Sequence, residues 1–140
     1  GPMFSDTIRI GTLVNGGAGK CRLYQLWMAP RRSGLAPRYV DVPTPLRTIG
    51  LSRLASSAEA DGGAWIDSEV TLSGAQLKAG ERIEYQPADG SALYVVAARG
   101  RVSLGEIELG ERDGAFVYRE NLALGALTDA EVLVAGVPRL

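Results

Sequence analysis

The sequence lacks histidine altogether and contains a single cysteine among its 140 residues. Without histidine, the chain has no imidazole, which is the commonest general base and a frequent ligand of transition metals. A single cysteine excludes an intramolecular disulfide and the paired cysteines of zinc and redox sites. The serine hydrolases that use a histidine base and the histidine-ligated metalloenzymes are therefore excluded as function classes.

The sequence also has little excess charge and no long apolar run. The sequence has fifteen basic and sixteen acidic residues, which gives a net charge of −1. This balance indicates neither a nucleic-acid partner nor an anionic membrane surface. No apolar run approaches the ~20 residues of a membrane span. No signal-peptide pattern follows Met3 and the lone thiol fits a reducing compartment, so we expect a cytoplasmic protein.

What the sequence does have is glycine, with 18 residues, and many short apolar or alternating runs between turn signals. This pattern is typical of an all-β sandwich or barrel. No long amphipathic helix period is present, and only residues 44–50 favour a short helical turn. The pattern predicts strands at residues 7–14, 21–28, 38–42, 51–55, 65–67, 70–78, 82–87, 92–98, 101–104, 106–109, 114–118, 121–125 and 131–135. Gly105-Glu106 is the predicted turn of a hairpin.

The chain divides into two parts, residues 3–58 and residues 59–140. We interpret Gly1 and Pro2 as the scar of tag cleavage and Met3 as the native start. Residues 3–58 hold the first strands and a proline-rich connector, which is too short to bury a core of its own. Residues 59–140 hold a continuous series of strands. The first part is therefore expected to pack on the second part or on another chain.

A resemblance to a known family begins at residues 23–42 (LYQLWMAPRRSGLAPRYVDV). This stretch is similar to the point in pirins and quercetinase-like bicupins at which the first cupin domain ends and the chain crosses to the second. Other segments resemble the second domain of bacterial members, namely EADGGA at 59–64, ALYVVAARGRVSL at 92–104, Asp113-Gly114, and the final strands at 131–133 and 137–138. The resemblance covers residues 20–138.

This resemblance implies a fold and an organisation. The fold would be a single cupin-like β-sandwich, a double-stranded β-helix, preceded by a crossover strand at residues 22–28. Residues 3–58 would be the remnant of a first cupin domain, and residues 59–140 the cupin-like domain. In the family, the first domain carries the metal site of three histidines and a glutamate, and most of that domain is missing from this sequence.

The resemblance also implies that the remaining cupin holds no metal. The general cupin pattern, matched on Gly80, places Gln86 and Ala88 at the two histidine positions. Its glutamate position falls on Ala92 or Leu93, and the histidine of the second motif falls within residues 119–122 (RENL). Since a metal needs several deprotonated donors converging on it, we expect no metal and no other cofactor.

Three residues are candidates for lining a cavity inside the sandwich: Gln86, Tyr94 and Tyr118. Aromatic walls suit flat small molecules, and a buried glutamine needs a hydrogen-bonding partner, a water or a ligand. The alternatives stay open, because aromatic residues also fill ordinary cores and a glutamine before Pro87 can reach solvent. Cys21 lies in an apolar alternating run, which predicts a buried and unreactive thiol.

The crossover strand supplies the prediction of a partner. A lone domain would expose the edge of that strand together with Leu23, Leu26 and Trp27, and a second copy would cover both. We therefore predict a homodimer, and a metal-free, non-catalytic protein with a structural or interaction role. The alternatives are a small-molecule-binding cupin, a degenerate quercetin dioxygenase relative, and a domain that binds a separate protein partner supplying the missing catalytic cupin.

Overall fold

The computed structural model describes residues 3–5, 16–36, 39–41, 50–58, 63–87, 91–118 and 120–138. Within these ranges the chain forms β-strands and connecting turns, and no helix is long and apolar enough to cross a membrane. The described strands are β1 (Met3–Ser5), β2 (Tyr39–Asp41), β3 (Ser52–Ser56), β4 (Ala64–Trp65), β5 (Thr71–Leu77), β6 (Arg82–Tyr85), β7 (Ala92–Arg99), β8 (Val102–Leu104), β9 (Ile107–Leu109), β10 (Gly114–Tyr118), β11 (Leu122–Ala126) and β12 (Ala130–Val137).

Ten of these strands form the two sheets of a cupin-like sandwich. The large sheet has six strands in the order β10-β7-β12-β5-β3-β4, and the small sheet has four in the order β6-β11-β8-β9. All pairs are antiparallel except β3 with β4. β1 and β2 pair separately as a two-stranded antiparallel sheet. The fold is therefore all-β, as the sequence predicts.

The core between the two sheets consists of aliphatic side chains from alternate strand positions. In β12, Val132 and Val134 are buried between the sheets, whereas Leu133 between them packs against the cluster on the other face. The same alternation runs through the strands on either side, because successive side chains of a strand point to opposite faces. Leu122 and Leu124 of β11 bring the small sheet into this cluster, where each is no more than 2% exposed.

The large sheet is apolar on its outer face as well. A second buried cluster combines residues of β3, β4, β5 and β12 with the segment that follows β4. Its members are Leu54, Ala55, Ala64, Ile66, Leu72 and Ala135, with Met28, Val70 and Leu133 packed against them. A sheet that is apolar on both faces needs a cover on its outer side, and Met28 contributes to that cover.

The strand predictions from residue 51 onward are confirmed, with ends shifted by two residues at most. Gly105 adopts a positive φ of 58° at the predicted hairpin turn between β8 and β9. The large sheet also takes β3 from residues 52–56, inside the region predicted as connector. The predicted strand at 7–14 lies outside the described residues, and so does all of the helical turn predicted at 44–50 except Gly50.

The predicted crossover strand at residues 21–28 is wrong. The segment has no strand in the structure, and it lies across the outer face of the large sheet instead of along an edge. Ladder hydrogen bonds lie in the plane of a sheet, so a segment that crosses the face cannot form them. Strand-favouring residue types in CRLYQLWM reflect packing on an apolar surface, which β-propensity does not distinguish from strand pairing.

Candidate functional site

Residues 16–36 form an extended arm, and its first anchor lies near one end of β7. The Arg22 guanidinium pairs with the Glu111 carboxylate in the turn between β9 and β10. The Tyr24 hydroxyl donates a hydrogen bond of 2.9 Å to the carbonyl oxygen of Ala98 in β7. These contacts join residues 74 to 89 positions apart, so they hold the arm to the folded sandwich.

The second anchor of the arm lies at residues 28–31. Met28, the one half-buried side chain within residues 21–30, packs against the outer cluster of the large sheet. The Ser68 hydroxyl donates to the carbonyl oxygen of Ala29 at 2.8 Å. The backbone N–H of Arg31 donates to the carbonyl oxygen of Asp67 at 2.9 Å. The arm is therefore fixed to the sandwich at two places, residues 22–24 and residues 28–31.

The ion pair at the first anchor shifts the pKa of both partners. The hydrogen bond and charge of Arg22 lower the pKa of the Glu111 carboxyl, and Glu111 raises the pKa of Arg22 by the same interaction. A lowered folded-state pKa of a carboxyl contributes stability above its unfolded pKa, and that contribution is lost as the pH falls through the folded pKa. Because the side chains are 47% and 42% exposed, solvent and salt screen the interaction.

Large apolar side chains of the arm face solvent. Leu23 is 59% exposed, Leu26 36% and Trp27 65%, and Tyr24 is 40% exposed despite its hydrogen bond. The structure therefore places the three predicted dimer residues at the surface, where a partner can reach them, and the contact itself stays a prediction. Cys21 is also exposed, so the expected burial of its thiol is wrong. The alternating run around Cys21 lies on the outer face of the sheet, and the side of this run that points away from the sheet is exposed to solvent.

Replacing Ser68 with alanine is expected to loosen the arm. Ser68 is 4% exposed, and its Oγ both donates to Ala29 and accepts from the N–H of Val70. Loss of such a buried hydrogen bond costs ~1 kcal/mol, so tryptic cleavage of the native protein at the arm's basic residues should accelerate about fivefold. The matched control is Ser103→Ala in β8, whose Oγ donates to Gly125 at 3.4 Å without contacting the arm. Equal cleavage rates for the two variants would contradict the anchoring role.

An aromatic corner, defined as Tyr94, Phe116 and Tyr118, lies on the same outer face at the β10 side of the sheet. Tyr94 and Phe116 are register partners whose ring centroids are 5.5 Å apart at an interplanar angle of 51°. Phe116 is 60% exposed, Tyr118 48% and Tyr94 37%. The Tyr94 ring also reaches over Gly114, where an added Cβ would lie 2.4 Å from its hydroxyl oxygen. Glycine at position 114 therefore lets the ring lie flat against β10.

The predicted cavity residues do not lie inside the sandwich. Tyr94 and Tyr118 come together on the outer face, whereas their neighbours Leu93 and Val117 fill the core. Gln86 is exposed after the end of β6 in the other sheet, so it reaches solvent next to Pro87. The expected interior position of all three is thus corrected, and binding of a small molecule at the exposed tyrosines stays a prediction.

The positions that match cupin metal ligands do not fit a metal. Leu93 is a core side chain at 2% exposure, and Ala92 is buried at 1%. Within the second motif at 119–122, Leu122 is a core side chain at 1% exposure, whereas Glu120 and Asn121 are exposed. Aliphatic side chains offer no donor atom, and the exposed Gln86 stands apart from them. Ala88 lies outside the described residues, and its methyl group cannot coordinate in any position. Among the residues that the structure places, no three of Asp, Glu and Cys group as metal ligands.

Two further residues belong to this surface, and only one of them carries a signal in the sequence. Phe116 completes the aromatic corner, and its spacing of two from Tyr118 was the available signal, because such residues share one face of a strand. Ser68 anchors the arm from a buried loop position. No local pattern signals that role, since its partner Ala29 is 39 residues away.

Comparison with known proteins identifies similar sequences over most of the chain. The sequence model described as the quercetinase C-terminal cupin domain matches residues 53–137. A Pseudomonas aeruginosa protein provisionally named a quercetin 2,3-dioxygenase is 35% identical over 120 residues, which cover 83% of this chain and 52% of that protein. A pirin-like protein of Caulobacter vibrioides is 34% identical over 117 residues, covering 81% of this chain and 50% of that one.

Solved structures show the same fold. The crystal structure of YhhW from Escherichia coli superposes with a TM-score of 0.76 at 23% identity, over 81% of this chain and 49% of that one. A second structure of that bacterial pirin contains nickel(II). This chain thus spans about half the length of the relatives it matches. The match to the Pseudomonas aeruginosa protein covers 83% of the 140 residues, which is about 116 residues. It therefore begins no later than about residue 25 and includes Leu26 and Trp27.

Proposed function

Because the chain belongs to the quercetinase C-terminal cupin family of pirin-like proteins, we propose that it is a metal-free, non-catalytic domain with a structural or interaction role. The observation that carries this proposal is the chemistry at the matched ligand positions. Leu93 and Leu122 contribute apolar surface to the core there, where a metal centre would need donors. With no histidine in the sequence, the chain offers no alternative imidazole.

The relatives' names supply the competing function. The Pseudomonas aeruginosa protein is provisionally named a quercetin 2,3-dioxygenase, and this chain covers about half of it. An activity of the whole relative can reside in the half that this chain does not match. The apolar ligand positions favour that arrangement, because the chemistry of molecular oxygen is ordinarily carried by a bound metal or organic cofactor.

Metal analysis and an activity assay test the proposal together. We expect the purified protein to contain no stoichiometric nickel, iron, copper or other first-row metal, before or after incubation with metal salts. We also expect no oxygen uptake with quercetin above the buffer rate. YhhW incubated with nickel(II) and assayed in parallel is the positive control for metal detection. A stoichiometric metal, or quercetin turnover that a chelator abolishes, would overturn the proposal.

Small-molecule binding is the second candidate, and the exposed Tyr94–Phe116 ring pair is the observation in its favour. Exposed aromatic rings provide an apolar surface on which a flat ligand can stack. Saturable heat of quercetin binding without turnover, lost in Phe116→Ser, would support this candidate. A cytoplasmic location stays a prediction.

A further inference from the structure

We infer that a second copy of this chain covers the outer face of the large sheet, with the arm of each copy lying against the aromatic corner of the other. This inference rests on the proposed interaction role, and it names the partner and the surface. The supporting contacts lie on one face of one sheet: the arm anchored at residues 22–24 and 28–31, and the corner on β7 and β10.

The exposed apolar area on this face matches what a stable dimer buries. Seven large side chains are exposed there: Leu23 at 59%, Tyr24 at 40%, Leu26 at 36%, Trp27 at 65%, Tyr94 at 37%, Phe116 at 60% and Tyr118 at 48%. With ~200 Å² for a large side chain, these fractions amount to about 700 Å². The largest apolar patch of a typical monomer is ~300–600 Å², and a standard interface buries ~800 Å² on each partner.

The arm and the aromatic corner are neighbours on one continuous surface. Tyr94 is the register partner of Ala135 in β12, and Ala135 belongs to the outer cluster against which Met28 packs. At its other end, the arm contacts β7 through the Tyr24 hydrogen bond to Ala98. The arm thus covers the β12 and β5 part of the face and leaves the β10 part open.

This arrangement is self-complementary, as an interface between identical copies must be. Each copy presents a raised arm with exposed Leu23 and Trp27, and beside it an uncovered corner with exposed Phe116. A two-fold axis between them places each arm on the other copy's corner, so that both contacts form twice.

The charge of the arm bears on which surface of the second copy it meets. The arm carries four basic residues, Lys20, Arg22, Arg31 and Arg32, and no acidic residue. Arg22 pairs with Glu111 of its own chain, and Arg31 lies 4.0 Å from Asp67. An arrangement of arm against arm would place the basic residues of two arms together, which disfavours it relative to arm against corner.

Light scattering after size-exclusion chromatography at micromolar concentration tests the inference. The wild-type protein is expected at twice the monomer mass. Trp27→Ser in the arm and Phe116→Ser in the corner should each raise the dissociation constant by about 30-fold or more, as loss of a hot-spot residue does. The matched control is Ile107→Ser, because Ile107 is 52% exposed on β9, at the edge of the small sheet. This control should retain the wild-type mass.

Circular dichroism and a cooperative unfolding transition in each variant ensure that a change in mass is not a loss of fold. A wild-type protein that runs as a monomer at all micromolar concentrations would overturn the inference. A dimer that Ile107→Ser dissociates while the other two variants do not would also overturn it, as would a stoichiometric second polypeptide in the purified sample. A metal-free, inactive monomer would leave the proposed function intact, whereas a metal-loaded or active dimer would overturn only the proposed function.

Discussion

Replacing Gly100 with alanine is expected to lower the free energy of unfolding by about 3–5 kcal/mol, the range of a severe backbone substitution. Gly100 joins β7 to β8 with a positive φ of 71°. An L-residue pays ~1–2 kcal/mol for this conformation. An added Cβ would also lie 2.1 Å from the carbonyl oxygen of Asp129 and 2.7 Å from the Thr128 hydroxyl oxygen. Relief of that overlap requires the turns before β8 and before β12 to move apart.

Gly105→Ala is the matched control for this prediction. Gly105 has a positive φ of 58°, but no atom outside its chain neighbours lies within 4 Å of a Cβ built there. The control should therefore cost only the conformational part, ~1 kcal/mol. Urea denaturation followed by circular dichroism measures both variants. Equal losses in the two would show that steric overlap at residue 100 contributes nothing.

Leu124→Ala should be the second severe change, with a loss of about 3 kcal/mol within the ~2–5 kcal/mol range of buried leucine truncations. Leu124 is 2% exposed and lies at the centre of the small sheet, in register with Ile83 of β6 and Leu104 of β8. Its truncation leaves a cavity among neighbours that two strand ladders hold in place. The surroundings can therefore collapse only partly into the space.

The matched control for this substitution is Leu127→Ala, three residues further along the chain. Leu127 is 44% exposed, so its truncation removes little buried surface and should cost less than ~1 kcal/mol. Both variants are compared by urea denaturation, with the slope of the transition as a check on two-state behaviour. If Leu127→Ala proves as damaging as Leu124→Ala, the core assignment of the small sheet is wrong.

The strands of the sandwich could be predicted because their turns carry clear local signals. Gly105-Glu106 and the runs around it specify the β8–β9 hairpin with no long-range information. The facing of β7 could not be predicted in the same way. Leu93 and Val95 on one face and Tyr94 and Val96 on the other are all apolar, so the alternation does not say which set lies inside. Only the packing of the small sheet decides this.

The candidate surface was partly predictable for a related reason. The apolar residues Leu23, Leu26 and Trp27 stand out in the sequence, and the structure places them at the surface. Their setting was predicted as a strand, however, because composition reports an affinity for apolar surface and not the geometry of contact. The anchors that fix the arm, such as Ser68 with Ala29, join distant parts of the chain. The spacing of residues in the sequence therefore gives no signal for these anchors.

The position of β12 in the large sheet has a consequence for the order in which the protein folds. β12 lies between β7 and β5, and it alone joins the β10-β7 pair to the group formed by β5, β3 and β4. It also follows all of these strands along the chain. During synthesis, the β10-β7 pair and the group of β5, β3 and β4 therefore remain separate until β12 leaves the ribosome. Their apolar faces stay uncovered during that time. Folding of the sheet is then expected to be slow and late, since it depends on the closure of long loops.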